Sequence, residues 1–335
     1  MMAKVSPLKL NQTWLNLRMS HSRSHIWFVS PAVLLMLVIL ILPVFVAGTF
    51  SFTDYNLGSP DFKWVGWKNY EALTRFSSYK KMFTASLTYV IIVVPVSVLL
   101  GLGSALLISS LRFGGEFYKT IFFLPVMATL LAMAIVWDFA LDPVVGIINK
   151  FLSDGCSVGW FHQLLTGSWL GFSPAESWYG NACLERMPNW LGNKKYALGT
   201  ISFIGIWQAF GFNMVLYLAG LTAVPRDLYS AAEIDGAKSS WESFKLVTWP
   251  MLGPTHVFVV TITSIRSFQV FDTVESLTRG GPSKSTYMMV YAMFEKGVKQ
   301  NLIGIGSTLT IIFLGFVLIL TLTQVYFVNR RVHYS

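Results

Sequence analysis

The chain has 335 residues, of which 54% are hydrophobic and only 12% charged, with a formal net charge of +9. Soluble domains carry about 25% charged residues, so this composition excludes an ordinary soluble enzyme and places the chain among integral membrane proteins. The positive balance is no argument for nucleic acid as a partner, because basic residues flanking membrane spans are already accounted for by topology.

The first uncharged run covers 24–53 and follows Lys4, Lys9, Arg18 and Arg23, with no acid before it. Its apolar stretch is far longer than the roughly 7 to 15 residues of a secretory signal core, and no clear small-x-small cleavage site follows, so it is expected to stay as an uncleaved helix. Four further uncharged runs, 82–111, 120–137, 196–225 and 300–329, each supply most or all of the roughly 20 apolar residues that a spanning helix needs. Segment 253–277 is long enough as well, but carries Arg266, Asp272 and Glu275; its membrane-like flanks and few polar groups make it the sixth.

The expected fold is therefore an all-α integral membrane protein of six transmembrane helices, with 1–25 as a cytoplasmic N-terminal segment and 26–335 as the transmembrane domain. Six spans put both termini on one side, and the basic N-terminal segment together with Arg330 and Arg331 puts that side in the cytoplasm. Loops 51–81, 138–197 and 278–299 then face outward, while 112–119 and 226–252 face the cytoplasm. Loop 138–197 holds Cys156 and Cys183 along with Trp160, Trp169, Trp178 and Trp190. Such a loop is expected to form a small cap or to lie at the interface. For the two cysteines, a disulfide and free thiols both remain open.

Several chemistries are missing. The chain has no Gly-rich phosphate loop ending in Lys-Ser or Lys-Thr and no His-Glu-x-x-His. His21, His25, His162, His256 and His333 are scattered without ligand spacing, so no metal or cofactor is expected in this chain. The ionisable groups within or beside the spans reduce to Arg266, Asp272 and Asp138, which is thin for catalysis and better suited to a solute passage.

The segment between the fourth and fifth spans is different. Pro225 fits a first helical position, Asp227 lies in the positive first turn, and Gly236 can take the left-handed conformation that ends a helix. Ser239 and Glu242 then have the spacing of a capping box, and Trp241, Phe244, Leu246 and Val247 form an apolar side. Two capped helices, with Ala231 and Ala232 as a close-packing pair, exceed what a connector needs. They predict a knob at which a cytoplasmic partner docks.

"LYSAAEIDGAKSSWESFKLVTWPMLGP", residues 228–254, resembles the Glu-Ala-Ala-x3-Gly signature, with its distal Pro, of the permease subunits of ABC importers. The match rests on Ala231, Ala232, Asp235, Gly236, Ala237, Phe244 and Pro250. Ser230 stands where the family has its first Glu, and the Gly-to-Pro interval is one residue longer. "WVGWKNY" at 64–70, "FFLPVMAT" at 122–129 and "FQVFDTVESLTRGGPSKST" at 268–286 are similar to segments of carbohydrate permeases. The resemblance covers nearly all of the chain outside 150–195, and is nearest to the first permease subunit of maltose-type importers.

The resemblance implies a coupling helix seated on an ATPase subunit, with Ala231, Ala232, Glu233, Asp235, Gly236 and Phe244 carrying the contact. It implies a second permease, two ATPase subunits that bind ATP and Mg, and a periplasmic solute-binding protein, in the bacterial inner membrane. Substrate-pocket positions carried over from the family are Gln208, Ala209, Phe212, Asn213, Thr263, Arg266, Ser267 and Gln269. Amides and hydroxyls suit the hydroxyls of a sugar, and an aromatic ring suits its C–H face.

Arg266 departs from the small or apolar residue that the resemblance leads one to expect there. A guanidinium suits a carboxylate, phosphate or sulfonate. It fits either an anionic glycoside or an ion pair with Asp272 or with the partner permease. The competing class, a stand-alone secondary transporter or channel, would work without ATPase partners and would usually show internal repeats, which are not seen.

Overall fold

The computed structural model describes residues 27–111, 113–156, 158, 163 and 187–329. Segment 1–25, Cys183, Trp160, Trp169, Trp178, Arg330 and Arg331 lie outside the described residues, as therefore does any pairing of Cys183.

Helix α1 is Trp27–Phe50, and no part of its most apolar window is buried within the chain. A short helix, α2 (Lys68–Arg75), leads into α3 (Ser77–Ser110), which has 34 residues. At about 1.5 Å per residue it is about 51 Å long, well beyond the roughly 30 Å of a hydrocarbon core. Helices α4 (Gly115–Met127) and α5 (Leu130–Ala140) follow, then α6 (Ile147–Gly155) in loop 138–197 and the long α7 (Ala197–Thr222). The knob consists of α8 (Arg226–Ile234) and α9, residues 240–251, whose middle turn Phe244–Thr248 is π-helical. Beyond it come α10 (Gly253–Phe268), α11 (Asp272–Leu277), α12 at 289–299 and α13 (Ile303–Asn329).

Among the described residues there are five helices long and apolar enough to cross a membrane, or six when the bent pair α4 and α5 is taken as one span. That bend is a correction to the sequence expectation, which had 120–137 as one helix. The two limbs are bent by 98°. Ala128 and Thr129 are extended, with ψ of 140° and 136°, which ends α4 and restarts the chain as α5. The fifth span is likewise interrupted at 269–271, between α10 and α11.

The core lies where α3 packs against α7 and α10, with Met82, Val93, Ile201, Met214, Tyr217 and Val259 nearly or completely shielded. In lipid, association of helices depends on close packing and small residues rather than on removal of apolar surface from water. Gly211 is such a residue: a Cβ there would stand 2.0 Å from the carbonyl oxygen of Phe122 on α4. Gly211→Ala is expected to lower the stability of the detergent-solubilised protein by about 1–3 kcal/mol, since α4 must back away. Gly103→Ala, whose Cβ would meet nothing within 4 Å, is the control; thermal unfolding followed by tryptophan fluorescence compares the two.

Between α1 and α3 the "WVGWKNY" segment is a folded clasp. Trp64 pairs with Thr53 in an isolated antiparallel bridge, and its ring stacks on Phe52 at 5.7 Å. The Asn69 amide donates to the carbonyls of Ser51 and Thr53 at 2.9 and 2.8 Å. In loop 138–197, the buried Asn149 of α6 donates to the Pro188 carbonyl at 3.2 Å and accepts from the Trp190 indole at 2.6 Å. These bonds tie the two ends of that loop together.

Candidate functional site

A cavity of about 340 Å³ lies between α3, α7 and α10, at the points where both interrupted spans break. All eight pocket positions carried over from the resemblance line it: Gln208, Ala209, Phe212 and Asn213 from α7, and Thr263, Arg266, Ser267 and Gln269 from α10 and its C-cap. Discontinuous helices around a mid-membrane cavity are a recurrent way to expose backbone and polar groups to a solute. Tyr89 of α3 and Val126 of α4 complete one wall, while Phe271, Asp272 and Thr273 at the α10–α11 break complete another. Sequence reasoning did not select these five. Asp272 had stood out as an ionisable group within a span, and Tyr89, a hydroxyl in the middle of an apolar run, was a second legible signal.

The polar members divide into two groups. Asn213 is fully buried; its amide nitrogen donates to Ser97 Oγ at 3.3 Å, and its oxygen accepts from Thr263 Oγ1 at 2.8 Å. One amide thus joins α3, α7 and α10. Removing it would leave the buried Thr263 hydroxyl without an acceptor, at about 1–3 kcal/mol, while Ser97 keeps its bond to the Val94 carbonyl. Asn213→Leu is therefore expected to lower the thermal midpoint, whereas Gln208→Leu, at a half-buried wall position, leaves it unchanged.

Arg266 belongs to the second group; it lines the cavity and is exposed. Its guanidinium lies over the Phe212 ring, 4.0 Å from the centroid. Such stacking contributes about 0.5–2 kcal/mol, depending on desolvation, and leaves the edge of the fork free for hydrogen bonds. Among the described residues no carboxylate comes within 4.0 Å of it. Asp272 lines the same cavity but does not form the ion pair that the sequence left open. Phe212 is thus more than packing, because it holds the guanidinium plane.

The knob is built as its sequence signals suggest. Gly236 has φ of +100°; its N–H donates to the Glu233 carbonyl at 3.2 Å, and the Ala237 N–H to that of Ala232 at 2.9 Å. This pair of bonds is a left-handed helix stop. Ser239 Oγ accepts from the Glu242 N–H at 3.2 Å, while the Glu242 carboxylate accepts from the Lys238 and Ser239 N–H groups at 2.7 and 3.1 Å. Those two backbone bonds, the Lys238 one foremost, hold Glu242 below the usual glutamate range.

Three details differ from the sequence reading. Pro225 is the N-cap, one position before the helix. Ala232 alone of the alanine pair is buried, against Val224 and Val247, while Ala231 faces out. Leu246 is exposed where an apolar side shared with Val247 was expected, because the π turn rotates the face of α9. Glu233, Asp235 and Gly236 are exposed, and Phe244 is half-buried, stacked on Trp241 at 5.4 Å. Ile234, 86% exposed at the tip, was missed. An isolated apolar residue between two acids carries no periodic signal.

A bundle of apolar helices, with a polar cavity at two helix breaks and a capped knob outside the spans, defines a membrane transport subunit rather than an enzyme. The match to the family described as binding-protein-dependent transport system inner membrane component spans residues 72–333, and the chain belongs to that family. It is 32% identical over 302 residues to the trehalose/maltose transport system permease protein MalF of Thermococcus litoralis, covering 88% of this chain and 90% of that protein. It is 26% identical over 313 residues to the probable starch degradation products transport system permease protein AmyD of Thermoanaerobacterium thermosulfurigenes, covering 92% and 96%. A bacterial ABC transporter involved in the import of the acidic polysaccharide alginate has a chain of the same fold, with a TM-score of 0.72 at 19% identity, covering 94% of this chain and all of that one.

Proposed function

We propose that this inner-membrane subunit passes a glycoside bearing an anionic group, such as a uronic, sulfonated or phosphorylated sugar, through the cavity between α7 and α10. The observation that carries this reading is Arg266, held over Phe212 and without a carboxylate partner among the described residues. A charged residue in the middle of a span is costly, so where one occurs it marks a functional position. Gln208, Ser267 and Gln269 would bond hydroxyls of the sugar, while Asn213 and Thr263 would hold the wall in shape.

The chain would work beside a second permease, with both termini in the cytoplasm. The knob would seat on one of two ATPase subunits that hold ATP and Mg, and a periplasmic solute-binding protein would deliver the glycoside. Ala231, Glu233, Asp235 and Gly236 would make the outer contact of the knob, with Ala232 and Phe244 supporting it from inside. The relatives named for starch degradation products and for trehalose/maltose favour a second reading, in which the sugar is neutral.

The deciding experiment measures ATPase stimulation of the reconstituted complex, with its binding protein, across matched neutral and acidic glycosides. Stimulation by acidic members alone supports the anionic reading. Equal stimulation by neutral ones sinks it.

A further inference from the structure

A groove of about 660 Å³ lies between the knob and the adjoining end of α3. It shares no residue with the transport cavity. Leu106 of α3, Leu221 of α7 and the stacked pair Trp241 and Phe244 of α9 give it an apolar part. Glu233 of α8, together with Lys238 and Ser240, gives it a polar one.

The flanks of the groove mark the depth at which it sits. Helix α3 carries no charge from residue 82 to its last turn. Beside the groove wall its Leu107 is 71% exposed, and Leu111 and Phe113 beyond it are exposed too. On α9, Trp241, Leu246 and Trp249 are likewise exposed. Large apolar side chains bared together mark a surface that is covered, and tryptophans gather where hydrocarbon meets the headgroups. The groove thus lies at that boundary, continuous with the lipid-facing side of α3.

Its charges are balanced but not paired. Among the described residues, Lys238 and Glu233 have no oppositely charged group within 4.0 Å. Glu242, the next acid, is held by the backbone N–H groups of Lys238 and Ser239. Ser109 and Ser110 of α3 also line the groove and donate to the carbonyls of Leu106 and Leu107, so their oxygens keep lone pairs with which to accept. An ammonium, a carboxylate, hydroxyls and an apolar strip in one groove fit a zwitterion with an acyl tail. An anionic headgroup would leave Glu233 unmatched, and a choline headgroup has no N–H to give it.

We propose that the groove binds a phospholipid of the ethanolamine type. Its phosphate accepts from Lys238 Nζ and Ser240 Oγ, its primary ammonium donates to Glu233, and one acyl chain runs past Leu106 and Phe244. Glu233 stands at the border with the surface proposed above for the ATPase, so the lipid wedges the knob against α3 beside that contact. The inference does not depend on which sugar is carried.

The test uses the complete complex, ATPase subunits included, in mild detergent. Native mass spectrometry counts bound lipid during titration with dioctanoyl phosphatidylethanolamine, phosphatidylglycerol or phosphatidylcholine, and a phosphatidylethanolamine with a photoreactive acyl chain locates the site. Saturable binding of the ethanolamine lipid is expected, with adducts concentrated in 106–110 and 238–248. Lys238→Met should raise its dissociation constant roughly tenfold, the loss of one hydrogen bond to a charged group. Glu233→Gln should abolish the preference over phosphatidylcholine. Both positions are exposed, and an unchanged thermal transition shows that the variants fold. Ser243→Leu, which fills the groove without a change of charge, should remove the adducts.

Adducts spread evenly over the lipid-facing helices, or an affinity unaltered by Lys238→Met, overturn the proposal. So does labelling of the groove only when the ATPase subunits are left out, since the ATPase then fills it. Displacement by inorganic phosphate at equal concentration would reduce the groove to an anion site and overturn it too.

Discussion

Arg266→Ala is expected to raise the concentration of acidic glycoside needed for half-maximal ATPase stimulation by roughly 10-fold to 100-fold, while leaving the response to neutral glycosides within twofold. Hydrogen bonds to charged groups contribute about 1.5–3 kcal/mol, and 1.4 kcal/mol is a factor of ten. The loss should be selective because the guanidinium already rests on Phe212, so its orientation does not depend on the ligand. Arg266→Lys keeps the charge but loses the planar fork and its stacking, and should recover only part of the affinity. If acidic and neutral sugars respond alike in wild type and in Arg266→Ala, the arginine serves the assembly instead, by pairing with a carboxylate of the second permease.

Substitution of Gly236 should separate ATP hydrolysis from transport. At φ of +100° a side chain is disfavoured by about 1–2 kcal/mol, and a β-branched one by more, whereas Asn tolerates the left-handed region best. No atom crowds the position, since a Cβ there meets nothing within 4 Å. The effect is therefore purely one of backbone conformation. Uptake driven by ATP is expected to fall in the order Gly, Asn, Ala, Val, with Gly236→Val at least 10-fold below wild type. Membrane insertion and the thermal transition of the spans stay unchanged. A flat series would mean that the knob is a passive connector.

How much of this was legible beforehand varies from feature to feature. The spans followed from uncharged runs, because charge is costly in hydrocarbon and a crossing helix needs about 20 apolar residues. The capping box at Ser239 and Glu242 and the stop at Gly236 were legible because their causes are local. The break at 128–129 was not. Pro125 lies just before it, but Pro95 sits inside the unbroken α3, so proline alone does not mark a break. The eight cavity positions came from resemblance rather than from any pattern in the residues, and the partners that use up Asn213 are Ser97 and Thr263, distant in sequence.

The bonds around Asn213 bear on how many independent coordinates a transport cycle can have. In an apolar interior no solvent stands ready to replace a broken partner, so α3, α7 and α10 are pinned to one another and turn as a single frame. The knob connects the adjoining ends of two members of that frame, so a pull on it acts on the whole rather than on one helix. The outer limbs α5 and α11, each set off from its span by a break in the backbone, pack against each other at the edge of this frame, with Val274 of α11 buried in the core. A three-helix frame joined through one amide thus carries a pair of short limbs that lean on each other beyond the breaks.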